Sequence, residues 1–259
     1  MPLPAFGKHL RQMRRDLGLS QFDLALALGS TQRHISFLET GRSEPSRAMI
    51  LRIATELSLS MAQRAALFTA SGFHSPFAQH APNSDEVAQA LDLIEARVLT
   101  HWPFPGFVLD KSWNILRLNK PAQNMFGPFA PPSNEPLNLL ALFLSDPFRA
   151  LIENWPQAST AFYFRLLEAQ DHSPKVAQAF AQARKDGHFD HIAAELTDPV
   201  DQPIFVPIKV NFPGAAQPLQ ITSLIGRLAN VHDAVVEGIE VELMVPLDPY
   251  GEGALGGFA

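Results

Sequence analysis

The stretch from Ser20 to Arg42, SQFDLALALGSTQRHISFLETGR, constrains this chain more than any other part of it. Ser20 can cap a helix, because its hydroxyl accepts an otherwise unpaired N–H of the first turn. Leu24, Ala25 and Leu28 then share one helical face. Gly29 permits a sharp reversal, and Ser30 or Thr31 can cap the next helix. In that second helix Ile35 and Leu38 point inward, which puts Gln32, Arg33 and Ser36 on the opposite side. Two short helices and a tight turn are therefore required here, with Thr31, Gln32, Arg33, His34 and Ser36 shown to solvent.

That outer face suits DNA. Glutamine bonds adenine in bidentate fashion, arginine does so to guanine, and hydroxyls serve bases or phosphates. The pattern is a helix-turn-helix, although paired amphipathic helices with polar outer faces also occur in all-α domains that touch no nucleic acid. The flanking residues narrow the choice. Gln21 opening the first helix, the run ISFLETGR at 35–42 and EPS at 44–46 resemble the five-helix repressor domain of the lambda-repressor/Xre family, over about residues 5–73. The resemblance implies that Gln21 contacts a phosphate and that Gln32, Arg33 and Ser36 face base edges. It also implies an internal ion pair between Arg14 and Glu39. Arg42 would hold the backbone, and His34 and Phe37 would either touch a thymine methyl or pack.

Charge is distributed to match. The net charge is −6, which by itself argues against nucleic acid. Residues 1–74, however, carry nine Lys/Arg against five Asp/Glu, and the remainder 11 against 21. Phosphate attraction is thus assigned to the N-terminal part alone, and strong non-specific binding is disfavoured. The chain has 259 residues, enough for two domains with real cores. It has no cysteine, which excludes disulfides, thiolate metal sites and thiol catalysis. With no long apolar run and no leader-like N-terminus, the expectation is a soluble cytoplasmic protein without a membrane span.

Along the chain, Phe6, Leu10, Met13 and Leu17 form the buried stripe of helix one, with Lys8, Arg11 and Arg15 off it. Ser46 caps a fourth helix with Ile50, Ile53, Ala54 and Leu57 inward, and Ser60 caps a fifth that ends at Gly72. Residues 74–84 read as a linker. Ser84 then caps a helix with Val87, Leu91, Ile94 and Val98 on one side, suited to pack on the second domain or on a copy of itself. A strand leads from 101–110 into a turn at Asp110–Ser112, followed by a strand over Ile115–Leu118 and a short helix after Asn119. Helices follow near 137–143, 146–168 (interrupted at Pro156) and 174–186. Ile204–Phe212, Leu219–Arg227 and Gly238–Val245 alternate and read as antiparallel strands, with a frayed tail at 249–259. The fold class is α+β: an all-α five-helix helix-turn-helix domain at 1–73, then at 85–248 an α/β domain with a five-stranded antiparallel sheet covered on one face, as in PAS-type sensor domains.

At this level the chain resembles the MmyB-like regulators, an Xre-type domain followed by a PAS-like ligand-binding domain. The segments that carry it are RHISFLETGRSEPSR (33–47), PFPGFVLDKSWNILRLN (103–119), NLLALFL with the following NW (138–155) and GIEVELMVPLD (238–248). LIGRLANVHD at 224–233 is less aromatic than the family's usual strand and turn. The resemblance implies a sensor of small hydrophobic molecules, fatty acids among them, and often regulation of neighbouring oxidoreductase genes.

No catalytic motif is present: no GxSxG, no P-loop and no GxGxxG with a following acid. His188 and His191, with Asp190, are either a metal pair or loop histidines, and His101 or His172 would be the haem ligands if one were bound. A ligand pocket needs an apolar lining with a few polar anchors. Its candidates are Trp102, Phe104, Trp113, Phe126, Trp155, Phe162 and Phe164, which are otherwise core. Arg149 and Arg165 would pair a carboxylate head group, or else be exposed or pair internally with Glu168 or Glu153. Asn119 more naturally organises its turn. The sequence therefore points to a homodimeric, DNA-binding transcriptional regulator on a near-palindromic operator, with no cofactor beyond a bound fatty acid or similar effector. Two rivals stay open: a small-molecule enzyme or carrier with an autoregulatory DNA-binding domain, and a constitutive repressor with a structural C-terminal domain.

Overall fold

In a computed structural model of the protein, the described residues are 5–76, 80–129, 135–171, 173–193, 206–212, 214–229, 231 and 233–257. They divide into two compact units. One comprises Met1–Val87 with Ala229–Glu237, the other Ala88–Leu228 with Gly238–Ala259.

Five helices make up the first unit: α1 (Ala5–Asp16), α2 (Gln21–Ala27), α3 (Gln32–Thr40), α4 (Arg47–Glu56) and α5 (Met61–Ala70). Their starts are set by side-chain caps. Ser20 accepts from Asp23 N, and Asp23 in return accepts from Ser20 N, which closes a capping box. Thr31 and Ser46 cap α3 and α4 through their hydroxyls alone, and Ser60 closes a second capping box with Gln63 on α5. Gly29 has φ +54° and Gly41 φ +72°, left-handed values that end α2 and α3 where a Cβ would resist. Phe6, Leu10, Leu24, Leu28, Ile35, Leu38, Ile50, Ile53 and Phe68 close one core. Leu17 does not join it: α1 ends at Asp16, and Leu17 sits beyond the helix at 50% exposure.

Helix α1 crosses α3 at backbone distance. A Cβ at Gly7 would come inside 3.0 Å of the Glu39 carbonyl and of Leu38 O, so only glycine fits this crossing. The sequence reading did not single out Gly7. The segment Ala229–Glu237, expected inside the 85–248 domain, contacts the first unit instead. There Met61 N donates to Glu237 Oε2 of the short helix α12 (Ala234–Glu237) at 2.9 Å. Asp233 caps that helix through Oδ1, and its Oδ2 takes the His80 backbone N–H and ring Nδ1, each at 2.9 Å. The stretch expected as linker is thus tied down at His80, while Phe77–Gln79 lie outside the described residues.

The second unit is built on a five-stranded antiparallel sheet of order β2-β1-β5-β4-β3, with β1 (Gly106–Leu109), β2 (Ile115–Leu118), β3 (Ile208–Val210), β4 (Leu219–Gly226) and β5 (Glu240–Pro246). Expected strand positions Ile204 and Phe205 lie outside the described residues. Helices α7 (Lys120–Phe126), α8 (Leu139–Leu144), α9 (Asp146–Arg149), α10 (Trp155–Ala169) and α11 (Pro174–Lys185) bury Phe126, Leu140, Phe148, Leu166 and Phe180 in one core with Phe107, Leu109 and Met244 of the sheet. The break expected at Pro156 falls just before it, because proline at N2 opens α10 rather than interrupting it.

Helix α6 (Asp85–Arg97) lies against the other sheet face: its Ile94 shares a shallow apolar groove with Val241 and Leu243, and Arg117 of β2 pairs with its Asp92 and Glu95. The sheet is therefore not covered on one face only, as expected, and the partner α6 finds in this chain is the sheet. Residues 249–256 are not frayed either. They form α13 (Pro249–Gly256), capped by Asp248, with Leu255 fully buried and the Tyr250 hydroxyl accepting from Ala216 N at 2.7 Å. A good N-cap and a proline at N1 outweigh its three glycines.

Asn119 is the hub of the first hairpin. Its Oδ1 accepts from Gly106 N and Ala122 N at 3.0 Å each, and its Nδ2 donates to Phe104 O at 2.7 Å and Trp102 O at 3.1 Å. Gly7→Ala is expected to destabilise the first unit by about 1–3 kcal/mol, the usual cost of overpacking. Urea unfolding of the full chain measures it, and an unchanged midpoint would contradict the close crossing.

Candidate functional site

The outward face of α3 is positioned by what lies beneath it. Ile35 and Leu38 anchor its apolar side, and Glu39, 0% exposed, anchors its C-terminal turn electrostatically. Arg14 Nε donates to Glu39 Oε1 at 2.6 Å, and Arg14 Nη2 and Gln21 Nε2 donate to Oε2 at 3.2 and 2.8 Å. Arg11 Nε adds a contact at 3.3 Å, and Arg14 Nη1 fixes the chain after α1 through Leu19 O at 2.7 Å. The Arg14–Glu39 pair implied by the family resemblance is present, and Arg11 and Gln21 join it. Burial raises the Glu39 pKa, but hydrogen bonds from Arg14 and Gln21 and the Arg14 charge outweigh it, leaving the carboxyl below its ordinary value.

One carboxylate thus ties α1, α2 and α3 together. Gln21, the expected phosphate contact, spends one amide hydrogen on this network. The rest of the expected interface lies on one side. Thr31, Gln32, Arg33 and Arg42 are exposed, while His34, Ser36 and Phe37 are half-buried. The Thr31 hydroxyl caps α3 by accepting from His34 N at 3.2 Å. The Phe37 ring carries two guanidiniums, Arg33 at 5.2 Å and Arg42 at 5.8 Å from its centroid, which holds both cations along the exposed edge of the helix.

In the second unit the aromatic candidates fall into three groups. Trp113, Phe162 and Trp155 are joined through Phe143: Phe162 lies 5.3 Å from Trp113 and 3.9 Å from Phe143, which is 5.2 Å from Trp155. Phe126 packs edge-on against Phe107 at 5.5 Å. Trp102 and Phe104 pair at 5.9 Å, with Trp102 Nε1 donating to Met244 O. Phe164 is about half exposed, edge-on to Tyr163 at 5.7 Å. Trp113 has φ +67°, an outlier for a bulky residue, held by the turn in which Asp110 Oδ1 accepts from Ser112 and Asn114 N. That conformation sets the indole under Arg165, whose guanidinium sits 4.4 Å from its centroid.

Arg165 is not free for a ligand. It donates to Glu242 at 2.8 Å and to Glu240 at 3.0 Å, and Arg227 also pairs with Glu240. Neither Glu168 nor Glu153, the partners weighed from sequence, is involved. Burial works against the Arg165 charge, but Glu242 and then Glu240 raise its pKa above the ordinary value. The acids were findable: Glu240 and Glu242 are two apart in a strand, hence on one face. Arg149 stacks on Trp155 at 4.9 Å and, among the described residues, pairs with the exposed Asp146 at 3.4 Å.

His191 is not a loose loop residue; its Nε2 lies 2.7 Å from the fully buried Ser159 hydroxyl. Among the described residues no cluster of His, Asp or Glu could hold a metal ion, and no helix is long and apolar enough to cross a membrane. His101 is exposed in a 3-10 turn, and His172 lies outside the described residues.

Comparison with known families decides what this arrangement belongs to. Residues 10–63 match the helix-turn-helix family, and residues 95–203 match the MmyB-like transcription regulator ligand binding domain. The chain belongs to the Xre-type helix-turn-helix transcription regulators that carry an MmyB-like ligand-binding domain. It is a DNA-binding regulator with a domain for a ligand. Strands β3, β4 and β5 of the regulator lie beyond the matched stretch of the ligand-binding domain. Among solved structures, the regulator is similar to the restriction-modification controller protein C.AhdI from Aeromonas hydrophila, with 33% identity over 24% of this chain and 92% of that one, at a TM-score of 0.23. It is also similar to the clp gene regulator ClgR from C. glutamicum, with 32% identity over 28% of this chain and 94% of that one, at a TM-score of 0.24. No curated protein matches the chain.

Two outcomes follow for the buried charges. Because the Glu39 pKa is lowered by folding, its contribution is complete above the unfolded value near 4.5 and is lost as pH falls through the lower folded value. Glu39→Gln should cost about 3–5 kcal/mol at pH 7 by stranding Arg14, and should flatten the acid limb of a urea-stability profile between pH 7 and 3. Arg165→Met should cost on the order of 3 kcal/mol, because Glu242 is left buried without its cation. Adding Glu242→Gln should recover part of that loss, and a strictly additive double mutant would refute the coupling.

Proposed function

We propose that the regulator binds a near-palindromic operator as a homodimer, with α3 of each protomer in a major groove and half-sites about one turn, roughly 34 Å, apart. Gln32, Arg33 and Ser36 read base edges; Gln21, Thr31 and Arg42 hold the phosphate backbone, and His34 and Phe37 border a thymine methyl. The observation that carries this reading is the exposed edge of α3, where Arg33 and Arg42 flank Phe37 above the Glu39 network. Arginine ordered by stacking loses less side-chain entropy on binding, so it favours specific over diffuse contact. The acidic remainder of the chain keeps non-specific affinity low.

The C-terminal domain is proposed to sense a small hydrophobic effector, a fatty acid or similar amphiphile, in the cytoplasm. Its likeness to PAS-type sensors is supported by the five-stranded antiparallel sheet with helices packed over it. The effector alters operator affinity only as far as it binds two states of the protein unequally. A second reading, a constitutive repressor, draws support from the packing of Trp113, Phe126 and Phe162, which are buried in the core.

The test is operator selection followed by fluorescence anisotropy. Arg33→Ala should lose about 1–3 kcal/mol at the selected operator and relax preference at one base position. Arg42→Ala should weaken all sequences alike and reduce the salt slope by about one. Unchanged affinity and preference in Arg33→Ala would remove the helix from the groove. Native mass spectrometry before and after lipid extraction separates sensor from constitutive repressor: a released amphiphile supports the first, a ligand-free dimer the second.

A further inference from the structure

Between β4 and β5 the chain leaves one unit and joins the other. It departs after Leu228, belongs to the DNA-binding unit over Ala229–Glu237 and returns at Gly238. Strands paired at Gly226 and Val241 need only a few residues to connect them, so the sheet itself does not require this excursion. Both roots of the loop are fixed in the ligand-binding domain. Arg227, just after β4, pairs with Glu240, the first residue of β5. Glu240 also accepts from Arg165 Nη2 of α10 at 3.0 Å, and the same guanidinium covers Trp113.

The far side of the loop completes the DNA-binding unit at two points. Helix α5 has no acid in its first turn, and its capping box satisfies Ser60 N and Gln63 N but not Met61 N. Glu237 Oε2 accepts from Met61 N at 2.9 Å and places an acid at the positive end of the helix. Asp233 makes the second hold. Its Oδ1 takes Val235 N at 2.8 Å and Val236 N at 3.0 Å, and its Oδ2 takes His80 N and lies against His80 Nδ1, each at 2.9 Å. Burial raises the Asp233 pKa, but the N–H groups of His80 and Val236, the His80 ring and Val235 N outweigh it, leaving the carboxyl below its ordinary value. Helix α12 packs on α5, and α5 packs on α1, which carries Arg11 and Arg14 to Glu39.

We propose that Ala229–Glu237 couples the ligand-binding domain to operator recognition, a loop of its sheet serving as a structural part of the DNA-binding unit. A shift of β4 against β5, or of Arg165 on Glu240, moves the roots of the loop. Glu237 and Asp233 then pass the change to the start of α5 and to the chain at His80. Both holds are hydrogen bonds to acid side chains, strong and directional enough to be made or broken rather than gradually stretched. Such a contiguous set of contacts can carry coupling if it has two arrangements that both ends bias. Linkage makes the effect reciprocal: operator binding biases the sheet by the same factor as the sheet biases operator affinity. The coupling rests on the reading of α3 as the operator-binding helix, and it is independent of which effector the second domain takes.

Amide hydrogen exchange of the full chain, with and without the selected operator duplex, tests it. In the wild type the operator should slow exchange in α3 and should change it in β4 and β5 by about fivefold or more. Asp233→Ala combined with Glu237→Ala should keep the α3 protection and abolish the change in the strands. Glu237→Ala alone, which spares the Asp233 cap, serves if the double variant melts early. Glu237→Gln keeps an acceptor for Met61 N and should retain the change. An operator that protects α3 without altering β4 and β5, or an alteration that survives both alanine variants, would overturn the coupling. A urea series of the same measurement decides it without DNA: α5 and the two strands should open together in the wild type and at separate urea concentrations in the double variant. Separate opening in the wild type would equally overturn the coupling. Joint opening in the wild type, lost in the double variant, with no operator that protects α3, would leave the two units coupled through the loop and remove the reading of α3.

Discussion

The DNA-binding unit depends on one buried carboxylate. Glu39 projects from the last turn of α3 into a space with no solvent access, where an unpaired charge could not be tolerated. Arg14 and Arg11 come to it from α1, and Gln21 from the start of α2. The interaction is therefore less a stabilising bond than a geometric condition: three helices must arrive at set positions before the charge is satisfied. Gly7 makes the same demand sterically, since it lets the α1 backbone approach Glu39 where any side chain would push it away. Charge and close contact together fix the angle at which α3 shows Gln32, Arg33 and Ser36. Sequence-specific recognition needs that precision, because base-edge hydrogen bonds tolerate little misplacement.

The ligand-binding domain uses buried polarity in a similar way. Asn119 supplies side-chain hydrogen bonds to the backbone on both sides of the turn, tying the approach to β1 to the cap of α7. Arg165 ties α10 to β5 through Glu242 and Glu240 and covers Trp113, whose left-handed backbone would otherwise be an unrewarded strain. Such pairs add little net stability compared with apolar packing, but they forbid alternative registers of the strand that carries the acids.

How much of this was legible in the sequence follows from how local each determinant is. Caps at Ser20, Ser46 and Ser60, the turn at Gly29 and the strand Ile115–Leu118 were readable because they are decided within four or five residues. Asn119 was readable as a turn organiser for the same reason. Gly7 was not, since its need arises from a helix some thirty positions away. The helix in the tail was not legible, because its glycines obscure the signals of Asp248 and Pro249 and because the burial of Leu255 depends on a core formed elsewhere. The segment Ala229–Glu237 carries polar and apolar residues with no clear period. Its ties to α5 and His80 come from Glu237 and Asp233, single acids whose partners lie far off in sequence.

The two arginines of the second unit show where reading by residue type stops. Both sit in aromatic, largely apolar helices, in AFYFRLL and PFRALI, and both stack on a tryptophan. From sequence they are equivalent candidates for an anionic head group. What separates them is the sheet. Strand β5 brings two acids to Arg165 and none to Arg149, so the first is a structural cation and the second pairs instead with Asp146 of its own helix. The number of aromatic side chains says little about where a ligand sits, because Trp113, Phe126 and Phe162 are as well packed as any core residue.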